Sequence, residues 1–198
     1  MDERDLIAAA RGGDTQAFNQ LVLLYQSTVY NLAYRILGDP EAAADASQEA
    51  FLSAFRAMRG FRGGSFKVWL LRIATNACYD QLRLKQRRPT SPLNALSERT
   101  TPFAESAEEP ENYALRQELS EAIQRGIQTL PPDQRIALVL SDVQGMSYKE
   151  IAAITKASLG TVKSRLSRAR AKLRDFLLEQ EELLPGRYRL INKDDLAE

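Results

Sequence analysis

The stretch Ser147–Arg174, SYKEIAAITKASLGTVKSRLSRARAKLR, constrains this chain more than any other. Ser147 and Glu150 stand at the spacing of a capping box, so a helix is predicted to begin at Ser147. It carries Ile151, Ala152 and Ile154 and stops near Lys156. Ser158 can cap a second helix, on which Val162, Leu166, Ala169 and Leu173 fall at offsets of four, three and four. Those positions form one apolar stripe turned toward a core. The opposite face presents Ser164, Ser167, Arg168 and Ala171, flanked by Thr161, Lys163 and Arg165. Up to Arg174 this helix holds six basic residues and no acidic one. A narrow, small-polar, cationic face suits the major groove of DNA and its base edges. A solvated basic helix without a ligand would look similar; the short apolar helix directly upstream favours a helix-turn-helix.

The 198 residues suffice for one large domain or two small ones. A net charge of +1 conceals strong segregation. Arg83, Lys85, Arg87 and Arg88 form a second basic cluster, Glu105, Glu108, Glu109 and Glu111 make the following segment acidic, and Glu179, Glu181 and Glu182 follow the basic helix. Separate surfaces with different partners are expected. The single cysteine, Cys78, has no partner for an internal disulfide, and its apolar helical setting reads as a buried small side chain rather than a reactive thiol. Without histidine, the usual zinc sites and most acid–base or nucleophilic triads are excluded. No phosphate-binding loop of the GxxxxGK[ST] type is present. No enzyme activity, metal or other cofactor is expected. No apolar run reaches the length of a membrane span, and MDERDLIAAARGGD is too charged for a secretory signal, so a cytoplasmic location is expected.

The chain reads as all-α. Asp14 can cap a helix reaching about Leu37, with Phe18, Leu21, Val22, Tyr25, Val29, Leu32 and Ile36 on its apolar face. Gly38 ends it, and Asp39-Pro40 restarts the chain as a cap followed by proline in the first turn. The next helix is predicted to bury Ala43, Ala50, Phe51, Ala54, Phe55 and Met58 and to break at Gly60. After a short loop, Ser65 can cap a third long helix to about Arg87, where Pro89 forbids continuation. Proline, serine, threonine and glutamate without sustained period mark 89–110 as an acidic flexible linker. A second module begins near Glu111. Leu115, Leu119, Ile123 and Ile127 line its first helix, Pro131-Pro132 breaks it, and Ile136–Leu140 form the next. The expected architecture is two small helical domains, 1–88 and 111–178, the second a four-helix unit ending in the helix-turn-helix, with a tail over 179–198.

Three features of the first module carry candidate chemistry. Glu41, Asp45 and Glu49 lie at four-residue steps on one helix face. Lined-up carboxylates can hold a metal, as in a nuclease, but a solvated face or one meeting a basic partner is the more ordinary reading, since no second ligand cluster accompanies them. In FRGGSFKVWLLR, Phe61, Phe66 and Trp69 alternate with Arg62, Lys67 and Arg72, the pairing of rings and cations that unpaired bases require. Trp69, beside Leu70 and Ile73, reads as core rather than as a base platform. Arg72, Asn76, Asp80 and Arg83 form a polar stripe leading into the basic cluster, which favours phosphate contact.

Taken in order, DPEAAADASQEAFLSAFRAMRGFRGG, SFKVWLLRIATNACYDQLR and LPPDQRIALVLSDVQGMSYKEIAAITKASLGTVKSRLSRARAKLR resemble an extracytoplasmic-function (ECF) sigma factor. The resemblance covers nearly everything from Asp5 to Leu178 except the linker. It implies a bacterial initiation subunit that joins core RNA polymerase, recognises the minus-thirty-five and minus-ten elements and helps to melt promoter DNA. It also implies that Asp45, Gln48, Glu49, Phe51 and Leu52 dock on the coiled coil of the β′ subunit, with the β subunit a further partner. Phe61, Arg62, Ser65, Phe66 and Lys67 would belong to the loop capturing a flipped minus-ten base. Arg72, Asn76, Asp80, Arg83, Arg87 and Arg88 would contact the same region, and Thr161, Lys163, Ser164, Arg165, Ser167 and Arg168 would read the minus-thirty-five element. The acidic linker would thread the polymerase cleft, and an anti-sigma factor would hold the protein in check. The loop FRGGSF is one residue shorter than the commoner family form, which alters the expected base pocket.

Overall fold

Asp14 starts the longest helix of the first module, and a computed structural model shows how the others assemble around it; the structure describes residues 2–87 and 110–179. The Asp14 carboxylate accepts hydrogen bonds from the backbone N–H groups of Gln16 and Ala17, opening α2 (Thr15–Leu37). Asp39 does the same for Ala42 at the head of α3 (Pro40–Ala57), where Pro40 occupies the first turn without a lost donor. Ser65 accepts from Val68 at the start of α4 (Phe66–Arg87). Ala43, Ala46, Ala50 and Ala54 are fully buried, and this run of small side chains lets α3 pack closely against α2 and α4.

A further helix, α1 (Glu3–Arg11), precedes these and is absent from the sequence reading. Asp2 caps it, and it fully buries just Leu6 and Ala10, with Ile7 and Ala9 partly buried beside them, too short a stripe to stand out in a charged segment. Phe55 also departs from expectation: it is 45% exposed, although its ring meets Phe18 edge-on at 5.1 Å. Cys78 is fully buried, and burial pushes its thiol up to about 12, in keeping with a core side chain.

In the second module α5 (Pro110–Thr129) begins at Pro110, inside the segment read as linker, and α6 (Pro132–Leu138) runs into a π-helical turn, Val139–Val143. Helix α7 (Tyr148–Thr155) carries the full capping box: Ser147 Oγ accepts from the Glu150 N–H, and Glu150 accepts from the Ser147 N–H at 2.8 Å. Lys156 takes the left-handed conformation at φ 53 and turns the chain into α8 (Leu159–Leu178), which Ser158 caps. Replacing Ser147 by alanine leaves the Glu150 N–H without its side-chain acceptor, so a loss of about 1 kcal/mol is expected in urea denaturation. An unchanged midpoint would show that solvent replaces the box at no cost. Gly126, inside α5, admits α8 closely: a Cβ there would lie 2.6 Å from Leu173 Cδ1.

The two modules are packed against each other. Their buried residues form one continuous apolar cluster, in which α2 meets α5, α6 and the π turn while α4 meets α7. The cluster is sealed on one side by polar groups of the second module that reach the last carbonyls of α2. Gln124 Nε2 donates to Tyr34 O at 3.1 Å, Gln128 Nε2 to Arg35 O at 3.0 Å, and Arg135 Nη1 to Ile36 O at 2.7 Å.

Candidate nucleic-acid interface

Helix α8 presents the face the sequence predicts. Val162, Leu166 and Ala169 are buried, while Lys163, Ser164, Ser167 and Arg168 are exposed. The Arg168 guanidinium lies back along the helix, with Nε donating to Ser164 O at 3.2 Å and Nη2 to Ser164 Oγ at 3.3 Å. Thr161 shares a hydrogen bond with the Ser158 cap, which makes it part of the helix start. Arg165 differs from its neighbours: its side chain is only 20% exposed and forms a tight ion pair with Asp133 of α6. Arg170 is anchored by both oxygens of Asp142, at 2.6 and 2.9 Å, and by Ser141, so α8 is fixed to the π turn behind it.

The hydrogen bonds from Arg170 hold the Asp142 carboxyl below its ordinary value of 3.8. A carboxyl whose folded pKa is depressed stabilises the fold above its unfolded pKa and loses that contribution as pH falls through the folded one. Asp142→Asn is therefore expected to lower stability by about 1 kcal/mol or less at neutral pH, given the exposure of the pair. That difference should shrink as pH falls below 3.8. Urea denaturation of both proteins at neutral and acidic pH checks it; a gap independent of pH would assign the effect to packing.

In the first module Arg72, Asn76, Asp80 and Arg83 form the expected exposed stripe on α4, with Arg83 Nη1 3.4 Å from Asp80. Arg87 is the last residue of α4, and Arg88 lies outside the described residues, as do 89–109 and the tail beyond Glu179. The loop before α4 corrects one expectation. Phe61 is 4% and Phe66 3% exposed, and with Trp69 they form a mutual cluster at centroid distances of 5.2–5.8 Å, closed by Tyr25 at 5.5 Å from Phe66. Neither phenylalanine is open to stack on a base in this arrangement. The exposed groups of the loop are Arg62, Gly63, Gly64 and Ser65, and Lys67 Nζ donates to Gln144 O of the second module at 3.1 Å. Phe61, Arg62 and Ser65, with Arg72, face Glu150, Ala153 and Ile154 of α7 across a cleft of about 400 Å³.

On the other side of the first module, Asp45, Gln48, Glu49 and Leu52 are exposed on α3 and Phe51 is half-buried. Gln48 and Phe51 line a groove of about 660 Å³ with Val22, Gln26 and Tyr30 of α2, and Leu23, Leu24, Leu52 and Phe55 stand exposed on these two helices. Glu49 accepts from Ser53 and lies 3.9 Å from Arg56. Among the described residues no three metal-ligating side chains converge, and no helix is long and apolar enough to cross a membrane.

Comparison with known proteins covers both modules. Residues 21–88 match Sigma-70 region 2 and residues 120–173 match Sigma-70, region 4. The RNA polymerase sigma-H factor of Pseudomonas aeruginosa is 39% identical over 175 residues, covering 85% of this chain and 90% of that protein. The ECF RNA polymerase sigma-E factor of Escherichia coli is 39% identical over 175 residues, covering 86% and 91%. The chain belongs to the ECF sigma factor family. Its fold agrees: the sigma factor RpoE of Bartonella quintana, solved in complex with the anti-sigma factor NepR, superposes with a TM-score of 0.65 at 27% identity, covering 82% of this chain and 98% of that one. This sigma factor is thus a promoter-specific transcription initiation subunit, a DNA-binding partner of RNA polymerase.

Nothing in its sequence pattern marks Gln124, Gln128 and Arg135 as a group. They look like ordinary polar helix positions, and the one available signal is Arg135 standing directly before the apolar run Ile136–Leu140.

Proposed function

We propose a division of labour along the chain. The α2–α3 groove, with Asp45, Gln48, Glu49, Phe51 and Leu52 at its edge, docks on core polymerase, where an acidic face beside exposed leucines fits a basic, partly apolar helical partner such as the β′ coiled coil. The loop 61–67 and the α4 stripe Arg72, Asn76, Asp80 and Arg83 engage the minus-ten region. Within the loop, Arg62, Ser65 and Lys67 approach the DNA, while Phe61 and Phe66 act by holding the loop in shape. On α8, Lys163, Ser164, Ser167 and Arg168 read the minus-thirty-five element, and Arg165 joins them once Asp133 releases it.

The observation that carries this reading is the α8 face, where exposed cations and serines stand directly opposite a buried apolar stripe. Strand opening draws on binding energy rather than nucleotide hydrolysis, so the chain is no enzyme; it works in the cytoplasm, where polymerase acts, and an anti-sigma factor restrains it. Transcription in vitro with purified core polymerase on a library of random promoters tests the proposal. Initiation should depend on two separated sequence blocks, and substitution of Lys163 or Arg168 should relax selection at the upstream block only. Selection of a single block, or none, would refute it.

A further inference from the structure

We infer that Leu159, in the first turn of α8, reads the methyl group of a thymine in the minus-thirty-five element, and that Gly160 beside it lets the helix come close enough to do so. The inference rests on the assignment of α8 to that element made above. Neither residue is among the sequence-predicted contacts of this helix, which begin at Thr161. Both cost the folded protein something and gain it nothing inside the fold, and that is what points outward.

Leu159 is the most open large apolar side chain of α8, 44% exposed, whereas Val162 and Leu166 are buried and Leu173 and Phe176 partly so. Covering an exposed leucine stabilises whatever complex covers it. The side chain also has a direction. Cα–Cβ bonds in a helix tilt toward its N-terminus, so a residue in the first turn projects past the helix end. Helix-turn-helix proteins present that end of the second helix to base edges in the major groove. There the C5 methyl of thymine is the apolar group on offer, and an aliphatic side chain is a fitting partner for it. Leu159 lies one turn ahead of Lys163, so a cation follows on the same line to meet the backbone.

Gly160 adds an independent observation. Glycine inside a helix is disfavoured, and a fold ordinarily requires one for a positive φ or for want of room for a Cβ. Gly38 and Gly145 have the first reason and Gly126 the second. Gly160 has neither: its backbone is helical, and a Cβ there would meet nothing closer than Ser158 Oγ at 3.8 Å. The remaining use of a glycine is close approach of the backbone to a ligand. Gly160 stands one turn ahead of Ser164, on the face that presents Ser164, Ser167 and Arg168. The turn is also held in place. Ser158 Oγ accepts from the Thr161 N–H at 3.1 Å, and the two hydroxyl oxygens are 2.8 Å apart. Leu159 is thus presented from a fixed turn with a bare stretch of backbone beside it.

The test uses holoenzyme assembled from the full chain and core polymerase, on the promoter selected from the random library. Each thymine of the upstream block, on either strand, is replaced in turn by uracil, which lacks only the methyl group. The wild type should lose about fourfold in affinity at one position, the worth of one buried methyl. Leu159→Ala should show no such loss, and Leu159→Met should keep it. Gly160→Ala should unfold in urea no earlier than the wild type yet bind the promoter at least about fivefold more weakly. A flat methyl scan, or a Gly160→Ala protein of full affinity, would overturn the inference. So would weaker binding of Leu159→Ala to core polymerase without DNA, which would make Leu159 a protein contact. Lys163→Glu with Arg168→Glu keeps the two readings apart. Lost binding there beside a flat scan sinks only the thymine contact, whereas full binding removes α8 from the upstream element altogether.

Discussion

Reversing two charges on α8, as Lys163→Glu with Arg168→Glu, is expected to reduce transcription from a cognate promoter by at least about 100-fold at moderate salt. Each good base or phosphate contact contributes about 1–3 kcal/mol, and the reversed charges add repulsion from the backbone. Both side chains are exposed, and among the described residues their hydrogen bonds are those of Arg168 to Ser164 within the helix, so the fold should be unaffected. Circular dichroism should therefore show an unchanged melting curve beside the lost activity. Raising the core polymerase concentration should recover little, because the docking face proposed on α3 is untouched. Activity within tenfold of the wild type would move the upstream reading to another surface.

Phe66→Ala is expected to be the most damaging single substitution in the first module. Its ring is 3% exposed and meets Phe61, Trp69 and Tyr25 at 5.8, 5.5 and 5.5 Å. Removing a buried phenylalanine ring costs about 3–5 kcal/mol, against a total stability of roughly 5–15 kcal/mol for a domain. Chemical denaturation should show a midpoint shift of that size. The conservative Phe66→Leu separates shape from stacking: it should restore most of the stability and most of the strand opening followed by permanganate reactivity of unpaired thymines. A leucine variant that folds normally yet opens no DNA would mean the ring leaves the core to stack on a base.

The helix-turn-helix was legible in detail because its signals are local. Ser147, Glu150 and Ser158 announce the helix starts within four residues, and the stripe Val162, Leu166, Ala169 needs only helical periodicity to be seen. Asp14, Gly38 and the Asp39-Pro40 pair mark α2 and α3 by the same kind of chemistry. Helix α1 escaped because two buried side chains in a charged segment make no visible period. The π turn escaped because one extra residue per turn leaves no trace in the apolar run Ile136–Leu140. In the loop before α4 the sequence shows rings beside cations but not which way the rings point, and Tyr25, far upstream, packs on the inward-turned Phe66. The packing of one module on the other was the least legible. Its donors and acceptors are 90, 93 and 99 residues apart, and each donor alone is an unremarkable polar residue on a helix.

Burying Arg135 against the carbonyls of Ile36, Gln128 and Leu130, with no carboxylate on it among the described residues, has a consequence for how this protein responds to its ionic surroundings. Dissolved ions weaken attraction to nucleic acid steeply, since binding releases condensed counterions, but they scarcely reach charges shielded from water. Concentrated electrolyte should therefore strip the sigma factor from its template without loosening its hold on itself.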